Sequence, residues 1–413
     1  MKRVSHFNPV KIISALLIVL HCFTVQAQED DEPNKATYTL GNGLNFSFNE
    51  GNYQFQLSGF IQPSFSTLSM DGVDTETQFN AKRSFLQLGG NAVKEKVSFF
   101  IQLDYSLSNP LLDAWFAYHP TDAIKISFGQ KQTFVNNREM IYREDRLQFN
   151  DRSFLSQNLS RTGREFGLFV ESKFGESFGI APMLAITSGD GRNSFGEDSR
   201  DSDIGGIKIG GRLDLYPLGF FKPGNDLTSA DLEREESLKF VVGVAASRNN
   251  GASNAIGEGH GDFFLYDLNG NDNLPDYDQV YADILLKYQG FSLLAEYANT
   301  SASNIEQAYT DVNATQILAP QQISEFLVLG DSFNIQAGYV TESGFSFDVR
   351  HETASPEFDS NVNSILQDMN ATTLGLSKYF DNNNLKLQAS YTMMNPSIGN
   401  NINQFEILFQ IAF

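Results

Sequence analysis

Gln404-Phe405-Glu406-Ile407-Leu408-Phe409-Gln410-Ile411-Ala412-Phe413 decides the fold. Phe405, Ile407, Phe409, Ile411 and Phe413 occupy one phase of a two-residue repeat, and Gln404, Glu406, Gln410 and Ala412 occupy the other. A helical repeat of 3.6 would mix the two sets on every face, whereas a strand separates them. The segment therefore reads as a strand with one apolar and one polar face.

The same separation recurs outward from there along the chain. Tyr53, Phe55, Leu57, Ile61 and Phe65 interleave with Gln54, Gln56, Ser58, Gln62 and Ser64. Phe345, Phe347 and Val349 alternate with Ser346, Asp348 and Arg350, and Leu385, Leu387 and Tyr391 with Lys386, Gln388 and Ser390. Candidate strands start near residues 52, 79, 97, 111, 123, 164, 178, 204, 237, 278, 291, 333, 344, 370, 384 and 402. That makes about sixteen, an even number within the range of outer-membrane barrels. Connections alternate in length: short turns at Asn91 to Lys96, His119 to Asp122, Gln289 to Gly290 and Asp381 to Asn383, against long loops at 132–163, 189–203, 249–277, 300–331 and 352–369. One connection on the short side, Gly219 to Glu236, is long and is expected to pack below the rim.

The first 27 residues stand apart. Lys2, Arg3 and Lys11 form a basic start, Ile12 to Leu20 an apolar run, and Val25-Gln26-Ala27 a small-residue cleavage site, the layout of a secretory signal peptide. The apolar run is shorter than the ~20 residues a spanning helix needs, and no later run approaches that length. Its removal takes away the one cysteine, Cys22, so disulfides and thiol chemistry are excluded. It also removes three cations, which moves the net charge from −21 to −24 and disfavours nucleic acid as a partner. Three histidines remain, His119, His260 and His351, without metal-ligand spacing, which argues against zinc sites and histidine-based catalysis.

Alternating faces along sixteen strands have a physical reason in a bilayer. Every backbone N–H and C=O must be paired where no water is present, so a spanning sheet has to close on itself, with lipid against one face and water against the other. Eight strands fill their interior with side chains; sixteen leave an aqueous channel. The expected fold is an all-β transmembrane antiparallel β-barrel of about 16 strands, with short periplasmic turns and long extracellular loops. The domain plan is 1–27 signal peptide, 28–51 periplasmic lead-in and 52–413 barrel, in the outer membrane of a Gram-negative bacterium. The aromatic end of the final strand resembles the signal by which the barrel-assembly machinery recognises its clients, which makes that machinery an expected partner.

Several short stretches carry a family likeness: Asn80-Ala81-Lys82-Arg83-Ser84-Phe85-Leu86, Gln102-Leu103-Asp104-Tyr105, Leu112-Asp113-Ala114-Trp115-Phe116, Ser127-Phe128-Gly129-Gln130-Lys131, Asp151-Arg152-Ser153 and Gly211-Arg212-Leu213. In their order and spacing the chain resembles the phosphate-selective porin O and P family over its mature length. The resemblance implies a trimeric sixteen-stranded channel whose third outer loop, 132–163, folds inward, with basic residues lining an anion path.

That loop carries Arg138, Arg143, Arg146, Arg152 and Arg161, and Arg164 opens the next strand. Arginines in a narrow, poorly solvated lumen would attract anions and grip phosphate oxygens in pairs. Glu139, Glu144, Asp145 and Asp151 share the loop, so ion pairs that hold a constriction in shape are the competing reading. On strand faces assigned inward, Lys125, Lys131, Lys208, Arg212, Lys239, Lys287, Arg350 and Lys386 are matched by Asp104, Asp113, Glu165, Glu171, Asp214, Asp283, Glu296, Asp348 and Glu406. The expected lumen is mixed in charge, and the function expected is passive diffusion of small solutes, with anions such as phosphate as a candidate cargo. A barrel serving as adhesin or assembly accessory, or an outer-membrane enzyme, are the alternatives; no catalytic set is recognisable. One loop, Asp267, Asn269, Asn271, Asn273 and Asp278, spaces oxygen donors as acidic calcium repeats do and is a candidate Ca2+ site.

Overall fold

The computed structural model describes residues 34–161, 163–193 and 205–413; the expected signal peptide, 1–27, lies outside the described residues. Sixteen long strands close into an antiparallel barrel. In chain order the elements are β1 (Lys35–Thr39), β2 (Gly43–Phe48), β3 (Tyr53–Met70), β4 (Glu76–Ala92), β5 (Val97–Asp104), β6 (Leu111–Thr121), β7 (Ile124–Gln132), β8 (Arg164–Ser172), β9 (Phe174–Gly175), β10 (Gly179–Thr187) and β11 (Lys208–Tyr216). They continue as β12 (Lys239–Asn249), β13 (Asp276–Tyr288), β14 (Phe291–Ser303), β15 (Gly330–Val340), β16 (Phe345–Pro356), β17 (Met369–Asp381), β18 (Leu385–Pro396) and β19 (Ile402–Ala412). The two-residue β9 continues β8 along β10. Closure is made by β19 against β3, from Ile402 opposite Met70 to Ala412 opposite Phe60. None of the sixteen long strands starts more than four residues from the expected position.

Exposure is inverted relative to a water-soluble protein, as a barrel in lipid requires. Phe347 is 61% exposed and Leu374 52%, while Lys386 and Lys287 inside are 0% exposed. Within β16 the alternation is complete: Phe347, Val349 and His351 point out, and Ser346, Asp348, Arg350 and Glu352 point in. Pro63 interrupts β3, and the β3–β4 register slips between Gln62 and Pro63, because proline has no N–H to give the ladder.

Within the expected lead-in, the described residues 34–51 are more structured than a tether. Residues 35–48 form the β1–β2 hairpin, and β2 pairs with the start of β3 through Leu44 opposite Leu57 and Phe48 opposite Tyr53. The wall thus extends below the barrel on that side.

Candidate functional site

The third outer loop enters the barrel and crosses it. From Thr133 to Ser160 nearly every residue is buried, in two short helices, α1 (Arg138–Ile141) and α2 (Phe154–Asn158), joined by extended chain. Its side chains reach walls on opposite sides. Arg138 bridges Asp214 of β11 at 2.9 Å and Asp283 of β13 at 2.7 Å. Arg212 of β11 meets the same two carboxylates at 2.8 Å each, closing a four-membered charge cluster. A Cβ on Gly243, the inward residue of β12 between them, would collide with Arg212 and both aspartates, so only glycine leaves room for the cluster.

Further along, the loop's backbone is held by inward side chains of the far wall. Lys386 donates to Leu147 O at 2.9 Å, Gln388 to Gln148 O at 2.8 Å, Gln410 to Asp145 O at 3.1 Å, and Asn150 donates back to Glu406 O at 3.0 Å. Gln148 also reaches Asp348 at 2.5 Å, through the space left by Gly338. Apolar parts of the loop pack where the inner wall is apolar: Tyr142 and Leu147 on Val241, Leu285 and Leu294, and Leu155 and Leu159 on Ala245, Tyr281 and Ala298.

Of the loop arginines foreseen as pore lining, most are committed to carboxylates. Arg143 forks onto Asp145 at 2.6 and 3.0 Å, with Arg146 at 3.3 Å from the same group. Arg164 lies 2.9 Å from Glu144 and 3.2 Å from Asp113, and Arg152 lies 3.3 Å from Glu144. Burial alone would raise the Glu144 carboxyl, but Arg164 and Arg152 hold it well below the usual carboxylate range. Arg161 differs: it is exposed and makes no ion pair among the described residues. On the wall, Lys125 and Lys131 share Glu171 and stack near Trp115, and Lys208 meets Glu165 at 2.6 Å. Asp113 also accepts from Gln132 N at 2.8 Å, and Asp104 accepts from Ser84 N and Ser106 N, which makes it a clasp at the outer end of β5. Lys82 and Arg83, not singled out from the sequence, join Asp151 of the loop to the β4 wall, Lys82 also holding Glu406 at 2.7 Å.

The long inner connection is inward as well. Lys287 is fully buried and donates to Asn225 O, Thr228 O at 2.8 Å and Ala230 O at 2.7 Å, while Thr228 donates to Arg146 O at 2.8 Å. The connection therefore underlies the third loop rather than lying at the rim. Two cavities flank the loop: one of about 260 Å3 on the outer side against β16 to β19, and one of about 290 Å3 on the inner side against β7 to β11.

Comparison with solved structures finds this architecture in the outer membrane channel DcaP of Acinetobacter baumannii, at TM-score 0.54 and 13% identity over 89% of this chain and 99% of that one. It is found too in OprB of Pseudomonas putida, at 0.53 and 11% over 88% and 94%, and in outer-membrane expressed OmpT of Vibrio cholerae, at 0.52 and 13% over 89% and 100%. The fold is that of an outer-membrane barrel. No protein-family model matches the sequence, and no curated protein sequence matches it. At such identities the likeness is one of fold, so the chemistry has to come from this chain's own residues.

The remaining sequence-derived sites stay separate. Both Asp267 oxygens are engaged by the N–H groups and side chain of Asn269 and Asn271, and Asp278 lies on β13 beside Ser303 and Arg248. Among the described residues no group of three or more His, Cys, Asp or Glu side chains is placed to hold a metal ion. His119 Nε2 is 2.9 Å from Ser98 Oγ, His351 is 3.0 Å from Thr372 Oγ1, and His260 is 3.2 Å from Glu258.

Proposed function

We propose that the protein is an outer-membrane porin in which small hydrophilic solutes pass by diffusion around a constriction made by the inward third loop. The observation that carries this reading is a lumen lined from end to end by buried polar and charged side chains, inside a wall whose exterior is apolar. Hydrophilic side chains facing an enclosed space serve water and solutes; a purely structural barrel of this width would gain more from an apolar filling. Most of the lumen's cations are set against an anion, while Lys287 and Lys386 are held by backbone carbonyls, so long-range attraction for either sign is weak and the channel discriminates by shape and short-range contact. On this reading the barrel serves passage and not chemistry.

A second reading, an anion route, is favoured by one place. Arg161 is exposed near Arg164, and Arg192 of the fourth outer loop feels both, its burial and their charge lowering its own proton affinity. Anions including phosphate would collect there. The resemblance to phosphate-selective porins supports the same route, and with it a trimer; a neighbour of the same fold, OmpT of Vibrio cholerae, has a structure described as its trimer form. Single-channel recording in a planar bilayer separates the two. Open steps with a reversal potential near zero in a salt gradient fit the mixed lumen; an anion-selective potential with block by inorganic phosphate fits the arginine route; no steps would remove the channel reading.

A further inference from the structure

The outer cavity contains two buried charges of opposite sign whose hydrogen-bonding capacity is not used up. Arg350 and Glu352 stand two residues apart on the inward face of β16 and are 3% and 4% exposed. The Arg350 guanidinium sits over Phe149, its Cζ 4.2 Å from the ring centre, and donates from Nη2 to Asp151 O at 2.8 Å. Its Nε has no partner, and the carboxylate nearest to Nη1, Glu139, is 4.0 Å away. Glu352 accepts one bond, from Phe154 N, on Oε1. Most opposite charges elsewhere in the lumen meet directly, at 2.6 Å in Lys208–Glu165, 2.9 Å in Arg138–Asp214 and 3.3 Å in Arg152–Glu144, so this pair departs from the pattern.

The lining of the same cavity is mixed, with Thr373, Ser390, Thr392 and Gln404 as polar members and four large apolar side chains beside them. Phe149 and Phe154 come from the third loop, Met369 from β17 and Met394 from β18. We infer that the outer cavity binds a zwitterionic α-amino acid with an apolar side chain, its carboxylate on Arg350, its ammonium on Glu352 and its side chain among these four residues. This deepens the porin reading and rests on it for the solute's passage. Residues two apart on a strand are separated by about 6.6 Å. That is the backbone separation, and side chains rising so close together on one face can both reach a ligand whose ammonium and carboxylate share one carbon, each at a charge-assisted distance of about 2.8 Å. The volume, about 260 Å3, is small for a drug-like ligand and suits one amino acid. Methionine and aromatic side chains provide the adaptable apolar contact that such a ligand's side chain needs.

The test uses three probes of similar shape on the full-length protein: L-phenylalanine, 3-phenylpropionate, which lacks the amine, and phenethylamine, which lacks the carboxylate. Block of single-channel current from the outer side and calorimetric binding in detergent are read together. The expected result is that L-phenylalanine binds and blocks at least tenfold more strongly than either control. Glu352→Gln should weaken L-phenylalanine and strengthen 3-phenylpropionate; Arg350→Gln should weaken L-phenylalanine and strengthen phenethylamine. A uniform loss for all three probes would mean the two charges only support the wall, and equal affinity for the three in the wild type would overturn the site outright. Where a charge variant does not fold, as judged by heat-dependent gel mobility, Met369→Trp fills the apolar side with both charges intact and should abolish L-phenylalanine binding. Binding without conductance keeps the site and removes the channel reading; conductance without binding does the reverse.

Discussion

The third and sixth outer loops are of comparable length and are held by different forces. The third, inside the barrel, is fixed mainly by ion pairs and by wall side chains that bond its backbone, from Asp214 and Asp283 on one side to Lys386 and Gln410 on the other. The sixth, 304–329, packs mainly with the fifth around Leu265, Tyr277, Ile323, Leu327 and Leu329, all buried, and meets the third through Val328 beside Leu155 and Leu159. Above the rim an apolar cluster excludes water and is stable without direction. In a lumen that must stay largely polar, position comes mainly from directional contacts, with apolar packing at a few wall positions, and each directional contact is costly to break although forming it gains little. The two loops therefore differ in how they fail.

The largest effect should follow from removing the loop's anchor to β11 and β13. Arg138→Met leaves Asp283, whose side chain is fully buried, and Asp214 to share Arg212 alone. Stranding charge in this way costs about 3–5 kcal/mol. Thermal unfolding should shift down, and single-channel current should become larger and noisier as the loop swings free. Unchanged current would mean that the loop does not set the constriction. Leu327→Ala gives the contrasting case. It opens a cavity in the cap and costs about 2–3 kcal/mol, at the low end for buried leucine because the cap can collapse onto it. Outer-loop proteolysis should quicken while conductance stays unchanged, and a change in conductance would join the cap to the constriction.

The same contrast explains what could be read from the sequence. Barrel strands announce themselves because two solvents act on their two faces, and β16 shows this without exception. The inward course of the third loop entered only through a family likeness, but a local signal for it exists. Ile284-Leu285-Leu286 breaks the alternation of β13, and Leu285, opposite Leu294 on β14, is the inward apolar residue on which Tyr142 and Leu147 rest. Val241 on β12 is a second such break. An apolar residue on a wet face marks where chain covers the wall. The loop's internal ion pairs, Arg143 and Arg146 with Asp145 and Arg152 with Glu144, were one of the two readings its sequence offered; the pairing of Arg138 was not legible, because Asp214 and Asp283 lie on strands distant in sequence. The β1–β2 hairpin was missed since segments of five and six residues carry too little periodicity to separate from a tether.

Acid should test the pairing more gently than substitution. Glu144 is held below its ordinary range by Arg164 and Arg152 against the opposing effect of burial. A carboxyl lowered in the folded state contributes stability that is complete above its unfolded value, about 4.3, and is lost as pH falls through the folded value. The wild type should thus keep this contribution from pH 7 down to about 4.5 and lose it only in stronger acid. Glu144→Gln should unfold at lower temperature than the wild type at neutral pH, with the difference closing in strong acid. A gap that closes already near pH 5 would mean that the arginines do not hold this carboxyl.

The smallest expected effect concerns the fifth loop, where the cap's own means of support can be tested against a metal. Asp267 is partly exposed, and its carboxyl is lowered first by the Asn271 side chain and then by backbone donors of the same turn. A calcium ion would need those oxygens, together with others from Asn269, Asn271, Asn273 and Asp278, turned toward one point. Asp278 instead faces Ser303, and the turn closes through Asp267 N to Asn271 O at 2.8 Å. A turn that already satisfies its carboxylate gains little from a cation, since binding would first break those bonds. Cleavage of the fifth loop by protease should therefore proceed at the same rate with calcium as with chelator, and Asp267→Ala should quicken it equally in both. Protection by calcium that disappears in Asp267→Ala would show instead that the turn rearranges around the ion, and that the cap above the rim, like the loop inside it, is held by charge.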